Sequence, residues 1–282
     1  VHRIGTGEEH KSMSTVESLC RSFSRAGMTR NDLVIGVGGG MVTDVAGFSA
    51  ASYHRGIPVM HVATSLLAMI DAAIGGKTGV NIPEGKNLIG AFWQPSGVIC
   101  DLDALETLPE REVRCGQGEM AKYHFLTGDD LIALPLPERV ARCVAIKAEV
   151  VGSDERESGR RAILNYGHTL GHALETATDH RLAHGEAVAI GMVVATRLSV
   201  RHAGLDPTIG DRLERTLAAA GLPVRFGAGA PPIDAIVART GFDKKVEAGR
   251  VRWVLLAEIG RVIVTDEVDP ELVQAVLESV YV

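Results

Sequence analysis

The spacing of hydrophobic residues changes near the middle of the chain. In the first third, Leu33-Val34-Ile35-Gly36-Val37 is a short apolar run that ends in Gly38-Gly39-Gly40, and Met41–Tyr53 then has alanine-rich helical periodicity. That reads as one strand, one glycine turn and one helix. Pro58–Val62 and Gly97–Cys100 are further apolar runs of strand length, each followed by polar or turn residues. The pattern predicts an open parallel sheet whose C-terminal strand ends open into a cleft. From about Pro109 the period becomes helical, with expected helices over Arg111–Phe125, Pro137–Val151, Glu157–Thr178 and Gly185–Ala203. Arg250–Leu256 and Arg261–Thr265 read as a hairpin around Glu258-Ile259-Gly260, and a last helix starts at Pro270. The expected organisation is an α/β domain over residues 1–109 and a mainly α-helical domain over residues 110–282.

Composition narrows the class. Thirty-two glycines with only 4% aromatic residues indicate many close backbone approaches and a core of Ala, Val, Leu and Ile. A net charge of −6 argues against nucleic-acid or anionic-membrane partners, so an anionic substrate has to be met by local cations. The longest apolar stretches, such as Gly56–Ile70 and Ala187–Ala195, fall short of the ~20 residues that span a bilayer. Four dispersed cysteines without a CxxC pair imply neither a disulfide framework nor a cysteine zinc site, and a reducing, cytoplasmic setting is expected. The chain opens at Val1 with no n-region or h-region, so no signal peptide is expected.

Candidate chemistry concentrates in two places. If Glu157–Thr178 is one helix at about 100° per residue, then Glu157, Arg161, Asn165, His168, His172 and Glu175 fall within about 40° of one line. Gly167 and Gly171 beside that face suggest a close backbone approach. His184 sits just before the next helix, where the dipole disfavours imidazolium and helps keep a lone pair free for a metal. His168, His184 and a carboxylate such as Glu119, in Gly118-Glu119-Met120-Ala121-Lys122, would make a three-ligand zinc site with an open position. Spacing alone leaves the alternatives open: a solvated polar stripe, a capping His184 and an exposed Glu119–Lys122 pair. In the first domain, Gly36-Val37-Gly38-Gly39-Gly40 suits a pyrophosphate at a helix N-terminus, although it departs from G-x-G-x-x-G and also fits a plain tight turn. Asp44 lies one turn in, and Arg55, Lys77, Lys86 and Asn87 sit in glycine-flanked loops near Asp71, a grouping suited to phosphate or carboxylate.

Taken together, these strings resemble the 3-dehydroquinate synthase family of the sugar phosphate cyclases. The residues that carry the resemblance are Gly38-Gly39-Gly40 with Asp44, Arg55-Gly56, Asp71 followed by Gly75-Gly76-Lys77-Thr78-Gly79-Val80-Asn81, Gly85-Lys86-Asn87-Leu88-Ile89-Gly90, Gly118-Glu119-Met120-Ala121-Lys122-Tyr123, Leu164-Asn165-Tyr166-Gly167-His168-Thr169-Leu170-Gly171-His172-Ala173 and His184-Gly185-Glu186. They cover nearly the whole chain. The resemblance implies a Rossmann-like N-terminal domain that binds NAD, a helical C-terminal domain that binds zinc or cobalt, and a homodimer. It implies Glu119, His168 and His184 as metal ligands and His172 as an active-site group. Asp71, Lys122, Glu157, Arg161 and Asn165 would hold substrate hydroxyls and carboxylate, with Lys147 beside them. Arg55, Lys77, Lys86, Asn87 and Lys245 would face phosphate or cofactor. Glu8, Lys11, Thr64, Ser65 and Thr107 match cofactor-side positions.

The implied reaction converts 3-deoxy-D-arabino-heptulosonate 7-phosphate to 3-dehydroquinate and phosphate, through transient oxidation by NAD, phosphate elimination, re-reduction and intramolecular aldol closure. Family members carry about 60 residues ahead of the point matching Val1, including the first strands of the nucleotide fold. Other departures are Thr43 and Ala63, where glycine and proline are common, and a short His124–Pro137 stretch. A sister cyclase of the valiolone or deoxy-inosose type, a metal-dependent polyol dehydrogenase of the same architecture and a catalytically silent binding protein are the competing readings.

Overall fold

A computed structural model describes residues 1–179, 181–227, 229–240, 246–247 and 250–281. The chain forms two compact units, Val1–Val113 with Val140–Arg156, and Arg114–Arg139 with Glu157–Val282.

The first unit opens with helix α1 (Met13–Arg25), started by Ser12, whose Oγ accepts the Thr15 N–H. Strand β1 (Val34–Gly38) runs through the glycine turn into α2 (Gly40–Ser52) and is followed by β2 (Val59–Ala63). A π-helical turn, Ala68–Ala72, carries Asp71, and the hairpin β3 (Lys77–Ile82) and β4 (Gly85–Phe92) precedes β5 (Gly97–Cys100). Strands β1, β2 and β5 form a parallel sheet in the order β1-β2-β5, in register from Val34↔Val59 to Gly38↔Ala63 and from Met60↔Gly97 to Ala63↔Cys100. Helices α1 and α2 bury Val16, Leu19, Phe23, Val45 and Ala50 with Val34, Val59 and Val80 in one core. The parallel sheet is as expected. The β3–β4 hairpin replaces what the sequence suggested were separate cationic loops, because Val80 and Ile89 pair across an antiparallel ladder.

Helix α3 (Glu110–Thr127) spans the change from the first unit to the second, and α4 (Leu136–Ser153) returns the chain to the first. The compact units therefore interleave along the chain, where the sequence suggested one boundary near residue 109. The tie is chemical as well as apolar. Lys147 on α4 donates from Nζ to both Asp71 O and Asp71 Oδ1 at 2.6 Å, and Gln94 Nε2 donates to Glu155 Oε1 at 2.9 Å.

The second unit is mainly helical: the rest of α3, α5 (His168–Ala177), α6 (His184–Leu198), α7 (Pro207–Ala219), α8 (Ile233–Thr240) and α9 (Pro270–Val280). Four short strands, β6 (Val246–Glu247), β7 (Arg250–Val251), β8 (Trp253–Glu258) and β9 (Arg261–Thr265), pair as two hairpins. Every residue of α6 from Ala187 to Thr196 is buried, as expected of a helix that is apolar on all sides. The long helix expected over Glu157–Thr178 is corrected by the structure. Glu157 has φ 60°, Arg160–Asn165 is a 3₁₀ turn, and the α-helix starts only after Gly167, at φ 78°. A Cβ at Gly167 would sit 2.8 Å from Met192 N and 2.9 Å from Val188 O, so α6 is the close neighbour that the glycines anticipated. Among the described residues no helix is long and apolar enough to cross a membrane.

Candidate active site

In the second unit, α3, α5 and α6 bring Glu119, His168 and His184 together, with their ligand atoms mutually within 4.8 Å. Glu119 is fully buried and Lys122 is 1% exposed, which removes the alternative of a surface pair. Lys122 Nζ pairs with Glu119 Oε2, while Oε1 faces the two imidazoles.

The hydrogen bonds fix which ring nitrogen keeps its proton when each imidazole is neutral, as a metal ligand must be. His168 Nδ1 lies 3.1 Å from Tyr166 O, a carbonyl that only accepts, so Nδ1 carries the proton and Nε2 presents its lone pair. His184 Nδ1 lies 3.2 Å from Glu175 Oε2, which likewise accepts. The two Nε2 atoms then stand 3.4 and 3.7 Å from Glu119 Oε1. Two ligands each about 2.1 Å from a tetrahedral ion lie about 3.4 Å apart, so the spacing fits a shared divalent cation. Nitrogen and carboxylate donors of this kind suit zinc or cobalt. In the metal-free chain His184 favours the imidazolium, so a cation entering the pocket has to displace one of its ring protons. Burial lowers its pKa, but the facing carboxylates Glu119 and Glu175 outweigh burial and raise it to about 10. That is the electrostatics of a pocket that holds positive charge.

Around this group, Asn165 Nδ2 donates to Glu157 Oε1 at 2.6 Å, and Arg161 is 1% exposed. The His172 ring centroid is 5.5 Å from that of His168 and 6.2 Å from that of His184. The solvated-stripe alternative fails, since Arg161, His168 and Glu175 are all buried. These residues come together through two turns and a short helix, not along one continuous helix face. Lys245 lies outside the described residues. Sequence reasoning gave no role to Glu175 or to the Tyr166 carbonyl, both of which orient imidazoles here; for Glu175 the signal was its i+7 spacing from His168.

In the first unit, Gly38-Gly39-Gly40 forms the turn from β1 into α2. Gly39 has no side chain to cap the helix, and a Cβ there would come within 3.2 Å of Ser65 Oγ. The turn therefore presents a helix N-terminus that suits a pyrophosphate. Thr64 N donates to Gly38 O at 3.0 Å, which holds the Thr64-Ser65 segment against the turn. Lys11 Nζ pairs with Asp44 Oδ2 at 2.5 Å, and burial pushes the Asp44 carboxyl up to about 6 although Lys11 pulls the other way. Glu8 Oε1 accepts from Asn81 Nδ2 at 2.7 Å, and Asn81 Oδ1 accepts the Asn87 N–H at 2.9 Å. Lys77 opens β3, and Lys86 and Asn87 lie on β4. Thr107 ends a 3₁₀ turn, and Arg55 sits in an exposed turn at φ 65°. Asp71 joins this set through its pair with Lys147.

The family model of the 3-dehydroquinate synthase N-terminal domain matches residues 1–115, and that of its C-terminal domain matches residues 116–246. This chain belongs to the 3-dehydroquinate synthase family. It is 45% identical to a 3-dehydroquinate synthase of a Synechococcus strain, across 98% of this chain and 80% of that one. It is 51% identical to a putative aminodehydroquinate synthase of Amycolatopsis mediterranei, across 92% of this chain and 74% of the relative. A 2-epi-5-epi-valiolone synthase from Streptomyces hygroscopicus subsp. jinggangensis, solved with NAD+ and Zn2+ bound, superposes with a TM-score of 0.90 at 28% identity, covering 98% of this chain and 81% of that one. As in the 3-dehydroquinate synthase family, a Rossmann-like N-terminal domain precedes a helical C-terminal one.

Proposed function

We propose that the chain converts 3-deoxy-D-arabino-heptulosonate 7-phosphate to 3-dehydroquinate and phosphate, using NAD and one zinc or cobalt ion. The observation that carries this reading is the Glu119–His168–His184 group, with Nε2 of both imidazoles turned toward one carboxylate oxygen, in a chain 45% identical to a 3-dehydroquinate synthase. When bound, NAD accepts and returns a hydride, and the metal supplies Lewis acidity at the substrate's hydroxyls.

The chain's own residues do the rest. Glu119, His168 and His184 hold the metal. The Gly38–Gly40 turn receives the pyrophosphate, with Glu8, Lys11, Asp44, Thr64, Ser65 and Thr107 on the cofactor side. Lys77, Lys86, Asn87 and Arg55 supply the local cations and donors that an anionic substrate or cofactor needs on a chain of net charge −6. Arg161 clamps the carboxylate, and Asn165, paired with Glu157, presents its amide to a hydroxyl. Lys147 fixes Asp71, which accepts from a hydroxyl, and Lys122 holds the second oxygen of Glu119. His172 moves protons during elimination and ring closure. The four cysteines are free thiols, which supports a reducing cytoplasmic setting, and we place the working form as a homodimer.

Identity favours one second reading, an amino-substituted analogue of the same substrate, because 51% identity to a putative aminodehydroquinate synthase exceeds the 45% above. The test is phosphate release with NAD and zinc supplied, from 3-deoxy-D-arabino-heptulosonate 7-phosphate and from its amino counterpart, with NADH absorbance followed throughout. Phosphate from the first substrate without NADH accumulation supports the proposal. Phosphate only from the amino compound moves the assignment, and net NADH points to a dehydrogenase.

A further inference from the structure

Glu175 has no part in the scheme above. It lies on α5, 6% exposed, one turn beyond His172, and faces His184 from the side opposite Glu119. A buried carboxylate costs several kcal/mol to desolvate unless its surroundings use the charge. We propose that Glu175 is the positioning residue that decides which nitrogen of His184 meets the metal. This inference rests on the metal-site reading.

His184 can lose either ring proton. With the proton on Nε2, Glu119 Oε1 stands 3.7 Å away, beyond hydrogen-bond range. With the proton on Nδ1, Glu175 Oε2 accepts it at 3.2 Å. Glu175 therefore selects the Nδ1–H tautomer and turns the Nε2 lone pair toward Glu119 and His168. The main chain of Tyr166 does the same for His168. One ligand is oriented by a neutral carbonyl and the other by a carboxylate, which also makes the His184 imidazole a stronger donor. A second grouping, His172, Glu175 and His184, also has its ligand atoms within 4.8 Å. Placing the ion there would make Glu175 a ligand and would require His184 Nδ1 to give up its proton, which the Glu175 hydrogen bond opposes.

The test compares the full chain with Glu175→Gln, Glu175→Leu and His168→Ala. Zinc dissociation constants come from chelator competition, Co2+ visible spectra report the ligand geometry, and thermal melts are taken of the metal-stripped proteins. Gln keeps an acceptor without the charge, and Leu keeps volume without either. Zinc affinity is expected to fall about tenfold in Glu175→Gln and about a hundredfold in Glu175→Leu, with a shifted Co2+ band and one zinc per chain retained at saturation. His168→Ala is expected to lose stoichiometric zinc. Melting of the stripped variants at or above the wild-type temperature separates positioning from a merely structural ion pair. Zinc binding within twofold of wild type in both Glu175 variants overturns the proposal. So does a loss in Glu175→Gln as complete as in His168→Ala, because that would make Glu175 a ligand. A wild-type chain that binds no zinc in this assay defeats the metal-site reading itself, and this inference with it.

Discussion

Arg161 illustrates how much of a side chain's chemistry its neighbours decide. A guanidinium 1% exposed cannot shed its charge, and Arg161 is the residue we assign to the substrate carboxylate. Arg161→Ala is expected to cost about 2–4 kcal/mol of transition-state stabilisation, roughly 30- to 1,000-fold in kcat/KM. An unchanged value would take Arg161 out of the site. Removal of one imidazole should act differently: His168→Ala is expected to lose bound zinc and turnover together, read by metal analysis and phosphate release on the same sample. Residue types at this scale were legible in the sequence. Glu119, Lys122, His168 and His184 stand out by their spacing and by the family-like strings that contain them. The tautomers were not legible, since they depend on the Tyr166 carbonyl and the Glu175 carboxylate, whose directions no spacing rule contains.

Among the elements, the junction of the 3₁₀ turn Arg160–Asn165 with α5 positions the site. A helical wheel assumes one screw axis, and the left-handed Gly167 breaks that axis between Asn165 and His168. The helical wheel anticipated the proximity of His168, His172 and Glu175 but assumed one helix where there are two turns and a short helix, while the strand and helix boundaries of β1, β5 and α2 came within a residue or so of those observed. Gly167→Ala is expected to lower stability by about 3 kcal/mol, combining the positive-φ penalty with a Cβ driven against Met192 N and Val188 O. Urea unfolding measures it. A loss below 1 kcal/mol would mean that α5 and α6 separate easily, and zinc affinity should then also be unaffected.

For the molecule as a whole, two buried titrating groups of the first unit oppose each other. His61, 2% exposed on β2, is held down to about 4 by burial. Because its unfolded value is near 6.5, its contribution is fully present above that pH and is lost as pH falls toward 4, an effect of about 2–3 kcal/mol. Asp44, raised to about 6 chiefly by burial, contributes in the opposite sense, its share being lost as pH rises through 6. The two largely offset across acid pH. His61→Gln is expected to unmask the Asp44 dependence, so that its stability relative to wild type improves as pH falls from 7 to 4. Parallel curves from denaturant titrations at both pH values would refute this.

The path of the chain has its own consequence. It leaves the first unit after Val113, re-enters after Arg139 and leaves again after Arg156, and the re-entering helix carries the lysine that grips Asp71. No single genetic breakpoint can then hand either half intact to another protein. A chimera spliced at one point after residue 113 would inherit a nucleotide-binding half stripped of α4, so recombination among relatives has to move these halves as interleaved pieces or not at all.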